Sequence, residues 1–289
     1  MRRTERLSAA ARIVREAATA IRTSTRPLRV RLKASVADIQ TSTDRQVERL
    51  IRRRLAAYFP GEAIVGEEGD GLVPFDQDRP TWFVDPVDGT TNYYRGIPLV
   101  ACNLAFWDGE RLDTAVVADV ANRRLYLASA GRGAWCGRRR LTVGGERLLE
   151  RAVVSTGFPS DRMRNADNNL AEFADLVLRV RDVRRIGVAG LDLGYVSAGM
   201  LDAYWERGDG PWDWAAGALL VREAGGVATT WDGRLWRPGD DTMVASNGLV
   251  HDAMLARLAA VRGMAGRAGP AEPPASVLAA GPAGLLGTR

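Results

Sequence analysis

The chain has 289 residues, 46% hydrophobic and 26% charged, with a net charge of +5 and a pI near 9.7. That composition suits one large domain or two closely packed halves, argues against intrinsic disorder, and contains neither a run of roughly 20 apolar residues that could span a membrane nor a signal-peptide core. The modest positive excess permits weak attraction to anions without marking a nucleic-acid binder; the expected address is the cytoplasm, with Cys102 and Cys136 as buried thiols.

Residues 5–22 place Leu7, Ala10, Val14, Ala17 and Ile21 at helical spacing. A second helix is expected after Thr43, with Thr43 and Gln46 in capping-box spacing, an apolar face of Val47, Leu50, Ile51 and Leu55, and Pro60-Gly61 as its stop. Runs rich in β-branched and aromatic residues at 82–84, 99–106, 113–119 and 125–128, with turn signals between them, predict an antiparallel sheet. From residue 152 the pattern becomes strand and helix in alternation: 152–156, a helix near 166–180, then 191–198, 201–206, 212–223, 227–231, 243–246 and 251–261. Beyond Met264 the chain turns to Ala, Gly and Pro and offers little to bury. The organisation expected is an N-terminal α+β half over 1–148 carrying most of the acidic candidates, a C-terminal α/β half over 149–264, and a poorly ordered tail over 265–289.

The most informative segment lies at 82–92, where an apolar strand runs into Asp85-Pro86-Val87-Asp88-Gly89-Thr90-Thr91-Asn92. Two aspartates at a strand end can hold a hard cation, which prefers oxygen ligands, while Gly89 and Thr90 can offer N–H groups to a phosphate at a helix start. Asp-Pro and Asp-Gly are also ordinary turn dipeptides, so the segment gains weight from two others. Gly66-Glu67-Glu68 again puts acids after a short apolar strand, Ile64-Val65. Pro211-Trp212-Asp213 puts an aspartate in the first turn of a helix whose small residues, up to Gly217, allow close packing.

In motif order, from about residue 7 to 261, the chain resembles the inositol monophosphatase family, within the wider group of lithium-sensitive, magnesium-dependent sugar phosphatases. The resemblance rests on 82–92, on 212–217 followed by Glu223-Ala224-Gly225-Gly226, on Gly66-Glu67-Glu68, and on the upstream pair Lys33 and Asp44. Lys33 is the single lysine of a chain that otherwise uses arginine, and the two are not interchangeable beside metal and phosphate.

The resemblance implies an α/β fold of the inositol monophosphatase / fructose-1,6-bisphosphatase type, a layered αβαβα sandwich. It implies direct attack of water on a phosphomonoester with two or three Mg²⁺ ions. Glu67 and Asp85, with the Val87 carbonyl, would hold the first ion; Asp85, Asp88 and Asp213 would hold the second. Thr90 and Asp44 would orient the attacking water, with Glu67 and Lys33 also in catalytic roles. Asp88, Gly89, Thr90, Ala189, Glu206 and Asp213 would contact phosphate or substrate, a carboxylate such as Glu206 being suited to adjacent hydroxyls. A homodimer is implied as well.

Inositol monophosphate is the substrate expected first, with Asn92 favouring that branch. Fructose 1,6-bisphosphate, histidinol phosphate and nucleotide phosphates are alternatives; a bisphosphate would call for a basic partner such as Arg95 or Arg185. A non-enzymatic alternative is a transcription-associated regulator binding RNA or RNA polymerase. Histidine phosphatase chemistry is excluded, because His251 is the only histidine and is expected to cap a helix or face solvent. Neither cysteine is followed by arginine at the sixth position, and no nucleotide P-loop occurs. Asp76-Gln77-Asp78 has aspartyl-nucleophile spacing but runs into Arg79-Pro80 and is expected to be a loop.

Overall fold

A computed structural model describes residues 3–24, 29–33, 35–69 and 75–265. The expected disordered tail thus falls, from residue 266 on, outside the described residues. Helix α1 (Arg3–Thr23) is followed by a short antiparallel pair, β1 (Val30–Leu32) and β2 (Ile39–Thr41), and by α2 (Ser42–Tyr58). Helix α2 starts two residues before the expected point. Thr41, not Thr43, is its N-cap: the Thr41 Oγ1 accepts from the Thr43 N–H at 3.2 Å, and Asp44 accepts from the Thr41 N–H at 3.0 Å. A carboxylate three residues after the cap meets that N–H directly and satisfies the orphan donor there.

Seven strands follow in one sheet: β3 (Ala63–Gly66), β4 (Thr81–Asp88), then, after helix α3 (Thr90–Arg95), β5 (Ala101–Trp107), β6 (Leu112–Asp119), β7 (Arg124–Ser129), β8 (Ala134–Cys136) and β9 (Arg139–Arg140). They lie side by side in chain order; β3 and β4 are parallel and the remaining pairs antiparallel. The second sheet joins β10 (Val153–Thr156) to β11 (Asp182–Arg184) across helix α4 (Leu170–Leu176), and to β12 (Ala203–Arg207) across helix α5 (Ala189–Ser197). After helix α6 (Pro211–Glu223), β13 (Val227–Thr229) and β14 (Thr242–Ser246) complete the order β11-β10-β12-β14-β13, and α7 (His251–Ala265) ends the described chain.

Side chains explain the layering. Every residue of β4 is buried, because alternate residues enter different cores. Trp82 and Val84 pack with Ile13 of α1 and with Ile51 and Leu55 of α2, whereas Phe83 packs with Leu193 of α5 and Trp214 of α6. A third core sets Val154, Trp205 and Val244 of the second sheet against Leu176 of α4 and Met254 and Leu258 of α7. The order is therefore helix pair, sheet, helix pair, sheet, helix pair, the αβαβα sandwich expected. Each large apolar side chain buried in these layers contributes about 1.5–3 kcal/mol. No helix among the described residues is long and apolar enough to cross a membrane.

Helix α4 is much shorter than the expected 166–180. Asn169 precedes it in the left-handed conformation, φ 68°, and the Asn168 carboxamide oxygen accepts from the Leu170 N–H at 3.1 Å, so the chain turns before the helix begins. His251 departs from expectation too. It is 5% exposed, with Nε2 at 2.9 Å from Thr229 Oγ1 and Nδ1 at 2.9 Å from Ser246 Oγ, and it ties α7 to β13 and β14. Both cysteines are free; Cys102 is buried, but Cys136 is only partly covered because β8 lies near the sheet edge.

Candidate active site

Asp85 and Asp88 are three residues apart, and in a regular strand they would face opposite sides of the sheet. The pairing of β4 with β5 slips between them: Asp85 opposes Asn103, while Asp88 opposes Ala101. Three steps on one strand against two on the other is a β-bulge, which bends the chain and turns both carboxylates toward the same cleft. Pro86, which has no N–H to lose from the ladder, sits inside it. The freed Val87 N–H donates to Asp85 Oδ1 at 3.0 Å. Gly89 then takes φ 86°, a conformation that excludes other residues at little cost only to glycine, and opens α3.

The cleft gathers four acids from three elements. Glu67 follows β3, Asp85 and Asp88 end β4, and Asp213 stands in the first turn of α6. Burial pushes the Asp85 carboxyl well above its ordinary range, and Glu67, Asp88 and Asp213 push it further. Asp213 is raised likewise by burial and by Glu67 and Asp88. Glu67 is lifted to about 7 by burial, against the pull of Lys33. Burial lifts Asp88 to about 6, opposed by hydrogen bonds from Asn103 and the Gly190 and Ala189 N–H groups.

Each carboxylate is turned to a protein donor. Lys33 Nζ lies 2.7 Å from Glu67 Oε1 and 2.8 Å from Glu68 Oε1; burial disfavours its charge, but the two glutamates more than offset this and raise its pKa. Asp88 Oδ2 accepts from Asn103 Nδ2 at 2.8 Å and from the Gly190 N–H at 2.7 Å, and Asp213 Oδ2 accepts from the Gly210 N–H at 2.8 Å. With these contacts made, no three acidic, histidine or cysteine side chains among the described residues stand in metal-holding geometry. The donor set nevertheless fits a hard divalent cation. It consists of carboxylates beside the Val87 carbonyl, all oxygen, and its crowded negative charge calls for a countercharge.

Thr90 Oγ1 lies 2.9 Å from Asp44 Oδ1 and 3.0 Å from the Val87 carbonyl oxygen, so its one proton is held on the protein side of the cleft. Asp44 is wholly buried and raised to about 6, mainly by burial, with the Thr41 and Thr90 hydroxyls opposing. Helix α2 also fixes the turn that carries Glu67. Glu48, one helical turn after Asp44, accepts the Glu68 N–H on Oε2 at 2.8 Å and the Arg52 Nε–H on Oε1 at 2.6 Å, while Arg52 Nη1 donates to the Ile64 carbonyl at 3.2 Å.

Ala189 and Gly190 open α5 with their N–H groups turned on Asp88, so the expected Ala189 position lies at the cleft but is engaged with a carboxylate. Glu206, at the end of β12, accepts a hydrogen bond from Tyr204 Oη, which in turn accepts from Trp214 Nε1 at 3.1 Å. Asn92 is different: its Nδ2 donates to the Leu99 and Ile186 carbonyls, each at 3.0 Å, and so clamps α3 to the loop before α5. Sequence reading missed Asn103, Glu48 and Tyr204. The signal for Asn103 was a lone amide in the apolar run 99–106; for the others, burial was the missing information.

The model of the inositol monophosphatase family matches residues 2–263. The chain is 44% identical over 199 residues to the Nus factor SuhB of Pseudomonas aeruginosa, covering 68% of this chain and 73% of that protein. It is 42% identical over 243 residues to an inositol-1-monophosphatase of Mycobacterium bovis, covering 81% and 83%. The solved inositol monophosphatase of Anabaena (Nostoc) sp. PCC 7120 superposes with a TM-score of 0.79 at 31% identity, over 89% of this chain and 96% of that one.

Proposed function

The chain belongs to the inositol monophosphatase family, whose members are phosphoric monoester hydrolases, and we propose that it hydrolyses a small phosphomonoester, with inositol monophosphate first among the substrates. The observation that carries this reading is the bulge in β4, which brings Asp85 and Asp88 to one cleft with Glu67 and Asp213. Those four carboxylates and the Val87 carbonyl would hold Mg²⁺, which when bound activates water, screens the phosphate dianion and stabilises the leaving oxygen.

The residues of the chain supply the rest. Thr90 gives its proton to Asp44, which leaves the lone pairs of Oγ1 free to accept a proton from the attacking water and so orient it. Asp44, poised near 6, is a suitable store for that proton. Gly89 and Thr90 begin α3, where the first N–H groups of a helix have no intrahelical partner and can meet a phosphate oxygen. Lys33 holds Glu67 and Glu68 together and adds positive charge beside the phosphate. Glu206, fixed by Tyr204, would receive the hydroxyls of the alcohol. A homodimer, a cytoplasmic address and inhibition by Li⁺ belong to the same proposal.

The test is phosphate release from inositol 1-phosphate, fructose 1,6-bisphosphate, histidinol phosphate and 3′-phosphoadenosine 5′-phosphate, with and without Mg²⁺ and Li⁺. Mg²⁺-dependent release with one preferred substrate supports the reading; release from none of them sinks it. The likeness to a protein named as a Nus factor favours a second reading, a transcription-associated regulator. RNA affinity that falls steeply with salt would support that one, because phosphate contacts release counterions.

A further inference from the structure

A net charge of +5 is modest, but its distribution is not. At the edge of the seven-stranded sheet, β8 and β9 form a hairpin whose turn, Gly137-Arg138, and outer strand, Arg139–Arg140, put three consecutive arginines at the rim. Strand pairing sorts the side chains by face. Trp135 is paired with Arg140 of β9 and Leu127 of β7, so these share one face. Arg139 opposes Cys136, which opposes Tyr126, so Arg139 shares the other face with Arg124. Trp135 Nε1 donates to the Arg132 carbonyl at 3.2 Å, which sets the indole against the β7–β8 turn. Arg140 Nε lies 3.2 Å from where a Cβ would stand on Gly133, two residues before Trp135. Arg124, Arg132, Arg138, Arg139 and Arg140 are all exposed, and none of them forms an ion pair among the described residues. Two acids approach this edge and are directed elsewhere. Asp119, opposite Arg124, is buried and accepts from the Asn122 N–H at 3.1 Å and Nδ2 at 2.8 Å. Glu223, at the end of α6, accepts from the Gly131 and Gly133 N–H groups at 2.8 and 2.7 Å and so pins the β7–β8 turn to the helix.

Charge on an edge strand hinders pairing with a second sheet. That accounts for Arg139 and Arg140, but not for an indole left 37% exposed beside them. We propose that the β8–β9 hairpin binds single-stranded nucleic acid, with a base stacked on Trp135 and the backbone phosphates held by the arginines around it. A guanidinium fork meets phosphate oxygens two at a time, and every base has a face that an indole can stack on. A membrane surface would call for an apolar face to bury, whereas between residues 120 and 141 Trp135 is the one exposed large apolar side chain among the described residues. The proposal rests on neither reading given above: the hairpin contributes no residue to the acidic cleft, and holding a strand here needs no transcription machinery.

Fluorescence anisotropy of labelled oligo(U), oligo(dT) and an RNA duplex, titrated with the full chain at several salt concentrations, tests this. The single strands should bind more tightly than the duplex, and log Kd should rise with log salt with a slope of about 3, that of roughly four neutralised phosphates on a single strand. The relative strength of oligo(U) and oligo(dT) identifies the sugar. Trp135→Ala should weaken binding of the better strand about tenfold, and Trp135→Phe, which keeps a stacking ring, should recover most of it. Arg138→Ser combined with Arg139→Ser should lower the salt slope by about 1.4; the slope belongs to the molecules that bind and is insensitive to loss of folded protein. No binding at low salt, or equal affinity for the duplex, would overturn the proposal. Displacement of oligo(U) by an equal charge of polyglutamate would overturn it too, in favour of an acidic protein partner. Strand binding that survives both sets of substitutions unchanged defeats this hairpin alone and leaves the regulator reading standing.

Discussion

Lys33 Nζ lies 2.7 Å from Glu67 Oε1, where it supplies the charge that a cation would otherwise provide to that carboxylate. Lys33→Met should therefore destabilise the protein by about 2 kcal/mol in chelator, because Glu67 and Glu68 are left without their partner, a cost moderated by partial exposure. Thermal melts in chelator and in Mg²⁺ check this. The deficit should shrink when Mg²⁺ is present; an equal deficit in both conditions would mean that no cation reaches Glu67.

Thr90→Ala removes the hydroxyl between Asp44 and the cleft while leaving the four acids of the proposed metal site in place. The expected result is a fall in kcat of about a hundredfold or more, typical of a lost proton-transfer group, with the Mg²⁺ dependence little changed. Steady-state kinetics across a Mg²⁺ series separate the two effects. A variant with near-normal kcat would remove Thr90 from the mechanism.

Gly190→Ala would bring a methyl group to 2.2 Å from Asn103 Oδ1. Asn103 must then move away from Asp88, which also accepts the Gly190 N–H. The substitution should cost about 1–3 kcal/mol of stability, as overpacking does, and should weaken Mg²⁺ binding as Asp88 loses its alignment. Urea titration and Mg²⁺ calorimetry measure the two separately; unaltered Mg²⁺ affinity would show that Asn103 does not position Asp88.

Burial lowers the pKa of His251 from 6.5, with Asp252 opposing. The neutral ring is thus a source of stability that is fully present above pH 6.5, the unfolded value, and is lost as pH falls below it toward the folded value. The acids of the cleft titrate with the opposite sign, since their folded pKa values are raised. The comparison that isolates His251 is therefore wild type against His251→Asn, by urea unfolding at several pH values. The variant should be less stable near neutrality and should lose less on acidification; parallel curves would refute the assignment.

Much of the site was legible because its chemistry is carried by short local segments. Residues 82–92 give the strand, both aspartates and the Gly-Thr turn within eleven positions, and the continuous apolar run Trp82-Phe83-Val84 of β4 is visible without coordinates. The layer order was legible for the same reason: helices and strands alternate with strong apolar patterns. What was not legible depends on partners far away in the chain. Thr43 and Gln46 had capping spacing, yet Thr41 and Asp44 form the cap because Asp44 is drawn to the Thr41 N–H and to Thr90, 46 residues on. His251 looked like a helix-start residue, and only the packing of β13 and β14 against α7 reveals its two hydroxyl partners.

Helix α2 carries Asp44 and Glu48 one turn apart, the first reaching Thr90 and the second gripping the turn that holds Glu67. The proton acceptor and the cation turn of the proposed mechanism are thereby mounted on a single rigid shaft. An insertion of one residue between positions 44 and 48 would rotate one function by about 100° relative to the other. The connection before Thr41 can vary in length, but the phase of α2 between these two residues has to be inherited unchanged.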